Sequence, residues 1–507
     1  MNESYSLTRQ TGFNTGNDKT PLISSTEERY RRVLGSVENW ASMTWYAQAK
    51  YNFSNRYYLQ ADMSMDTSSQ FGHNAKSGLK LFGVAWGLFP SIQAGWVMSN
   101  EKWFDVKGID YVKITAGYGL SGNDALPYDA SHSYFKSNLF LGQIPGLSLE
   151  NIGNTELQWE TTRRLNSGLE AHFWNNRISA SINYFYSWTN NLLTLRSLNF
   201  LSGIDQSWSN GGSLENNGFD AHVAAHLYSS NDWNWSLGGS VGHYVNTLTE
   251  LPDGATYEDH QILGATIRSE VGRSINSFYG LQTATTSNGT IVYATAEEAA
   301  RDGLYRLRAD GVTKDYFTSG DVKYVDQNRD GKIDDNDLVF IGDANPIIYG
   351  NLWTSLSYKR LTLDIGFNYS LGGDIYNYIR QQLESGSRFM NQTTAMLTRW
   401  NHEGQVTDMP RAVYGDPMGN NAFSDRWIED GSYLRLKTVT LSYKLPINNT
   451  YIQGITVWAQ GTNLLTFTNY LGSDPEMSMG NSVFYQGIDR GYLSSGRMFN
   501  VGLRINL

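Results

Sequence analysis

The densest group of metal-type oxygens in the chain is Asp326-Gln-Asn328-Arg-Asp330-Gly331-Lys332-Ile333-Asp334-Asp-Asn-Asp337. With Asp326 as loop position 1, oxygen side chains fall at positions 3, 5, 9 and 12 and Gly at 6, the spacing of an EF-hand-like calcium loop. Gly331 permits the tight turn, and the short carboxylates and amide would wrap one hard cation. The expected ligand set is Asp326, Asn328, Asp330, the backbone carbonyl of Lys332, Asp334 and Asp337, holding a structural Ca²⁺ that pins the long connection around it. Position 12 is Asp rather than Glu, and the flanks Val322–Val325 and Leu338–Ile341 read as extended rather than helical. The alternative is an Asx-rich turn with no metal.

Other chemistry-bearing residues are less organised. His222 and His226 have the i,i+4 spacing of a zinc pair on a helix. However, Phe219, Ala221, Val223, Ala225 and Leu227 alternate with Asp220, His222, Ala224, His226 and Tyr228, which reads as a strand. Four residues along a strand span about 13 Å, too far for one metal. The segment Thr295–Gly303 has a capping-box start and a Gly stop, and predicts a short helix. No Gly-x-Ser-x-Gly elbow, HExxH helix or GxxxxGK[ST] phosphate loop is present, so nothing supports an enzyme. Trp208, Tyr257, Tyr316 and Trp400 lie in long connections, where they would either stack on sugar faces or pack the loops. Trp40, Trp45, Tyr46, Tyr57, Trp96, Trp188, Trp233 and Trp235 lie near predicted strand ends and read as interfacial girdles.

The elements that must carry these residues follow from composition and period. The chain has 507 residues, of which 17 % are charged and 13 % aromatic, with 50 Gly and only 10 Pro. Its mean hydropathy is −0.43, and no apolar run approaches the roughly 20 residues of a membrane helix. The net charge of −10 leaves no basic footprint for nucleic acid. Zero Cys excludes disulfides, thiolate zinc sites and cysteine nucleophiles. A polar, Gly-rich and aromatic-rich chain of this kind fits a transmembrane β-barrel.

Period-2 alternation recurs along the chain. Ile178, Ala180, Ile182, Tyr184 and Tyr186 oppose Ser179, Ser181, Asn183, Phe185 and Ser187, and Leu361–Ser370 and Leu59–Asp66 repeat the pattern. This places Leu59, Ile182, Phe367 and Val501 toward lipid and Gln60, Asn183, Asn368 and Asn500 toward the lumen. Strands are predicted near 41–53, 56–66, 84–98, 110–120, 157–173, 177–190, 213–229, 232–250, 347–358, 361–373, 432–445, 454–467 and 495–507. In 434–443 the apolar face switches between Leu436 and Val439, which predicts a bulge near Lys437–Thr438. The connections alternate between short ones, such as Ser54–Asn55 and Lys359–Arg360, and long ones, such as 251–346 and 374–431. A soluble sandwich has no reason to sort its loops this way, whereas an outer-membrane barrel does. About 13 strands is an odd count where such barrels have even numbers, so N-terminal strands are expected elsewhere. Met1–Leu22 shows no basic segment leading into an apolar one, so no signal peptide is visible in these residues. That is expected of a mature or truncated chain or of one that never leaves the cytoplasm.

Several strings resemble the SusC/RagA-like family of TonB-dependent outer-membrane transporters. They are Gly320–Asp334 followed by Ile341-Gly-Asp-Ala-Asn-Pro346; Asp425-Arg-Trp-Ile-Glu-Asp-Gly-Ser-Tyr-Leu-Arg-Leu-Lys437; and Ala459-Gln-Gly-Thr-Asn-Leu-Leu465. Leu157-Gln-Trp-Glu160 and Tyr118-Gly-Leu-Ser-Gly-Asn123 look like further family segments, so the resemblance runs from about residue 40 to the end. It implies an all-β fold, an antiparallel transmembrane barrel of which this chain holds about 13 C-terminal strands of roughly 22 around an internal plug. It also implies uptake of oligosaccharides or peptides, energy from the TonB complex and a SusD-like lipoprotein over the outer mouth. The barrel portion is expected at 41–507, with 251–346 as the long extracellular loop that carries the calcium motif. Residues 1–40 are expected to be an extracellular loop remnant. Plug and TonB box are not recognised, which makes energised transport by this chain alone unexpected. The competing reading is a non-transporting outer-membrane surface protein that uses its large loops for binding or adhesion.

Overall fold

The computed structural model describes residues 2–11, 32–76, 78–127, 129–140, 144–198, 201, 203–204, 206–447, 452, 454–480 and 482–506. Its frame is a 15-stranded sheet whose long strands pair antiparallel, nearly all with their neighbours in the sequence. The wall runs through Arg32–Phe53, Tyr57–Ser68, Val84–Val97, Ile109–Asn123, Glu160–Phe173, Ile178–Asn190, Ser213–Ser229 and Trp233–Glu250. It continues through Ile348–Tyr358, Leu361–Leu371, Tyr433–Leu445, Gly454–Thr468 and Met498–Asn506. Every strand read from the alternation is present, and among the described residues no helix is long and apolar enough to cross a membrane.

The N-terminal region differs from the expected loop. Asn2–Thr11 is a strand, and it pairs with Arg32–Ala41, beyond Ser42, the last residue of its neighbour paired to Tyr57–Ser68. The strand boundary therefore moves from Ala41 back to Arg32, because a ribbon can continue past the rim when a second strand satisfies its backbone. Residues 12–31 lie outside the described residues.

The short connections turn with positive φ rather than with glycine. Ser54 and Asn55 have φ of 54° each, Trp174, Asn175 and Asn176 of 53°, 58° and 59°, and Lys359 of 54°. Left-handed backbone matches the twist of the paired strands, and Asn tolerates it. Aromatic pairs collect on this rim: Phe53–Tyr57 at 6.4 Å, Phe173–Trp174 at 5.9 Å and Trp233–Tyr358 at 4.4 Å between centroids.

The two faces of the wall separate as the alternation predicts. Polar side chains bond one another along the luminal face: Gln48 to Asp62 at 2.6 Å, Asn183 to Asp220 at 2.8 Å, Asn351 to Ser240 at 2.7 Å and Ser355 to Asp364 at 2.6 Å. The opposite face leaves Leu59, Ile92, Ile182, Leu352 and Val501 exposed, the apolar band that lipid covers in a barrel. His222 faces Ser181 and Ser240 across two strands, so the strand reading of the histidine pair holds. Pairing skips Lys437 between Leu436 and Thr438, which is the expected bulge.

The packed core lies in the long connections instead of the wall. One cluster joins Leu281, Val292, Tyr293, Leu304, Phe317, Val322, Tyr324, Ile333 and Met418. A second joins Phe71, Leu126, Leu157 and Trp159, and a third Ile267, Phe278, Tyr376, Trp427 and Ile488. The helix appears at Ala296–Asp302, with the Thr295 side chain accepting from the Glu298 N–H and Gly303 ending it. Its Glu298 carboxylate returns to the Ser287 N–H and hydroxyl, which closes the turn beside it.

Candidate functional site

The calcium-type loop is built as a self-capped turn. Asp326 Oδ1 accepts the Arg329 N–H at 2.6 Å and the Asp330 N–H at 3.2 Å, while Oδ2 accepts the Gly331 N–H at 2.7 Å. Asn328 and Asp330 accept from the N–H groups two residues on. Arg329 and Gly331 take φ of 62° and 81°, and the glycine supplies the second left-handed step without strain. Asp334 and Asp337 form a reciprocal capping box, and the fully buried Asp337 also accepts the Gln327 N–H at 2.9 Å. The Lys332 ammonium pairs with Asp334. Burial pushes the Asp334 carboxyl up, but this ammonium and the Asn336 N–H outweigh it and hold the group below its ordinary value.

This loop is tied to the cap by backbone and by one apolar side chain. Tyr305 N–H donates to Gly331 at 3.0 Å and Ile333 N–H donates to Tyr305 at 3.0 Å, with Ile333 buried in the first core cluster. The connection is thus anchored by its own packing as well. Among the described residues no three His, Asp or Glu side chains converge as a metal-binding group. The expected oxygens are instead engaged by N–H donors, each of which leaves lone pairs unused.

The four candidate aromatics occupy four separate places. Trp208, on the short strand Gln206–Asn210, packs against the Leu157–Trp159 cluster. Trp400 packs on the first cluster, donates from Nε1 to the Ala294 carbonyl at 3.2 Å and lies over Gly320. Tyr316 is 59 % exposed and pairs with Tyr305 at 5.7 Å. Tyr257 is 50 % exposed and stacks on Arg268, whose guanidinium lies 3.9 Å from that ring and 3.6 Å from the Tyr279 ring. Asp259 fixes the same guanidinium through both oxygens at 2.7 and 2.8 Å. The four do not form a common platform.

Sequence reasoning missed the ionic clasps of the outer rim. Arg435 pairs with Asp474 and, at 2.6 Å, with Glu476, and the bulged Lys437 reaches Glu476 at 3.5 Å. Arg411 grips the fully buried Asp321 at 2.8 and 3.0 Å, and Asn420 donates to the same carboxylate. Trp427, fully buried, lies under Arg426 at 4.3 Å and Arg380 at 5.5 Å, and Arg380 pairs with Glu384 and Glu429. The string Asp425–Lys437 is thus the knot that holds three long connections together. Nothing in its residue types discloses its partners, because those lie on other loops.

No family model matches the chain. The TonB-dependent receptor P26 of Formosa agariphila is 29 % identical over 522 residues, covering 99 % of this chain and 49 % of its own length. The TonB-dependent receptor SusC of Bacteroides thetaiotaomicron is 26 % identical over 463 residues, covering 86 % of this chain and 42 % of its own. The chain is a relative of the TonB-dependent receptors. It spans about half the length of the curated relatives it matches. Among solved structures, the RagAB peptide transporter superposes with a TM-score of 0.75 at 23 % identity, over 99 % of this chain and 55 % of its own. That likeness shows the fold, an antiparallel β-barrel wall with long connections at one rim.

Proposed function

We propose that the chain is the C-terminal barrel portion of an outer-membrane transporter that imports oligosaccharides or peptides with energy from the TonB complex. The observation that carries this reading is the match to receptors named TonB-dependent across nearly the whole chain. The luminal polar ladder and the packed cap support it, since a solute path needs a polar wall and an ordered mouth. A SusD-like lipoprotein is the proposed partner at that mouth, by analogy with SusC and RagAB. The test is uptake of labelled peptides and labelled oligosaccharides by cells carrying the complete receptor, with and without an uncoupler. Energy-dependent uptake of either class supports the reading. Binding to whole cells without uptake of either class would favour the surface-binding alternative instead.

We further propose one structural Ca²⁺ on Asp326, Asn328, Asp330, Asp334, Asp337 and the Lys332 carbonyl. The support is the spacing of the oxygens, the left-handed turn at Gly331 and the lone pairs left after each N–H bond. Extracellular calcium modules work at about 10⁻⁴–10⁻³ M, so millimolar calcium is the condition to test. Equilibrium dialysis with ⁴⁵Ca at that concentration decides it: one ion per chain supports the site, and none overturns it.

A further inference from the structure

The cap carries a four-stranded sheet in the order Tyr257–Ile262, Ala265–Glu270, Ser277–Gly280, Val339–Gly342. Its first strand is paired on one side only. The two-residue turn Leu263-Gly264, with φ of 52° and 82°, sets Ile262 opposite Ala265, and Val271 N–H donates to the Thr256 carbonyl at 2.9 Å. Residues two apart along a strand turn their backbone groups the same way. Thr256, Glu258, His260 and Ile262 therefore bond toward the neighbouring strand, and Tyr257, Asp259 and Gln261 turn theirs outward. Among the described residues, none of these three outward N–H and three outward C=O groups has a hydrogen-bond partner. The side chains do not close the edge either. Asp259 folds back to Arg268, and Gln261 Nε2 donates to Thr266 Oγ1 at 2.8 Å. Phe484 meets the His260 ring at 4.4 Å between centroids, a ring contact that leaves the outward backbone unpaired. The strand has no Pro, no Lys and no bulge, the features that commonly blunt a free edge.

Such an edge can take one more strand, with main-chain hydrogen bonds for affinity and side chains for selection. An antiparallel guest would meet Tyr257, Asp259 and Gln261 in hydrogen-bonded pairs. Glu258 and His260 would then stand in the other pairs, where facing side chains lie closest. Charge selects the guest. Residues 257–270 hold Glu258, Asp259 and Glu270 against a single cation, Arg268, which is already bound to Asp259. Glu258 has the ring of His260 beside it at 3.9 Å. Opposite charges facing across a pair stabilise it and like charges destabilise it. A two-fold pairing with a second copy, centred on Asp259, would set that acid against itself. We propose that the outward edge of Tyr257–Ile262 binds an extended, basic segment of a separate polypeptide as an added strand. The proposal stands apart from the import reading, since docking at this edge needs neither a solute nor an energy source.

The experiment is hydrogen exchange on the detergent-purified complete receptor, alone and with the peptide acetyl-Thr-Lys-Thr-Lys-Val-amide. Alone, the amides of Tyr257, Asp259 and Gln261 should exchange fast while those of Glu258 and His260 are protected. Protection of the first three in the receptor alone means that its own remainder or a second copy holds the edge, and overturns the proposal. Saturating peptide should slow those three amides by about tenfold, the size of one hydrogen bond gained. With the lysines opposite Glu258 and His260, the third and fifth residues of the peptide bond the edge. N-methylation of these two should abolish the protection, and N-methylation of the two lysines should leave it. The acidic peptide acetyl-Thr-Glu-Thr-Glu-Val-amide should give none. Gln261→Pro removes one outward donor at a position where an edge strand tolerates proline, and should weaken binding about tenfold. No protection by the basic peptide, equal effects of the two N-methylated forms, or equal binding of the acidic peptide overturns the proposal. If Gln261→Pro does not fold, the two N-methylated peptides on the unaltered protein still decide.

Discussion

Arg435 donates from Nη1 to Glu476 at 2.6 Å across 41 residues of sequence, and its Nη2 meets the buried Asp474. The pair fastens a wall strand to the last long connection. Removing Arg435 leaves Asp474 charged and buried without its partner, which costs about 3–5 kcal/mol. Arg435→Ala should therefore loosen 468–494, read as faster proteolysis there, while Arg435→Lys restores part of the protection.

The calcium-type loop should fail at its first residue, ion or no ion. Asp326 accepts three N–H groups, so Asp326→Ala leaves them to water or unpaired. By analogy with loss of a capping side chain the expected cost is about 0.5–2 kcal/mol. Hydrogen exchange at Arg329, Asp330 and Gly331 should rise together in the variant.

Ile333 should matter more than any single loop oxygen. It is 2 % exposed and belongs to the cap core. Ile333→Ala should cost about 2–5 kcal/mol, with Ile333→Val costing about 0.5–1.5 kcal/mol. Thermal melting of the cap, followed by protease sensitivity within 281–338, checks both.

The lipid face and luminal face should respond unequally to charge. Phe367→Arg near mid-membrane is expected to cost about 2–4 kcal/mol, and Asn368→Arg much less. Heat-modifiable gel migration of the folded barrel measures the two side by side. Equal tolerance would reverse the assignment of faces.

Acid should release the hairpin Tyr305–Tyr316 late. The Asp310 carboxylate accepts the Thr313 hydroxyl and the Val312 and Thr313 N–H groups, and these bonds hold it down to about 2. A depressed carboxyl contributes stability above its unfolded value of 3.8 and loses it as pH falls through the folded value. Local protection at Val312 and Thr313 should persist at pH 4 and vanish near pH 2, and Asp310→Asn should remove that dependence.

Taken residue by residue, alternation alone determined the wall. Ile178–Asn190 and Leu361–Leu371 each show two chemically different faces, and period 2 leaves one way to place them. Loop length sorted the two rims, and the switch of face at Leu436 located the bulge at Lys437. Local signals also located the helix Ala296–Asp302, because its cap and stop are neighbours in sequence. The cap was not legible in this way. Ile333 meets Tyr305, Asp321 meets Arg411 and Arg435 meets Glu476 only once the loops fold over one another. Such contacts have no period and no local spacing, so the tertiary structure alone decided them. It also decided that Trp208 and Trp400 pack while Tyr257 holds an arginine.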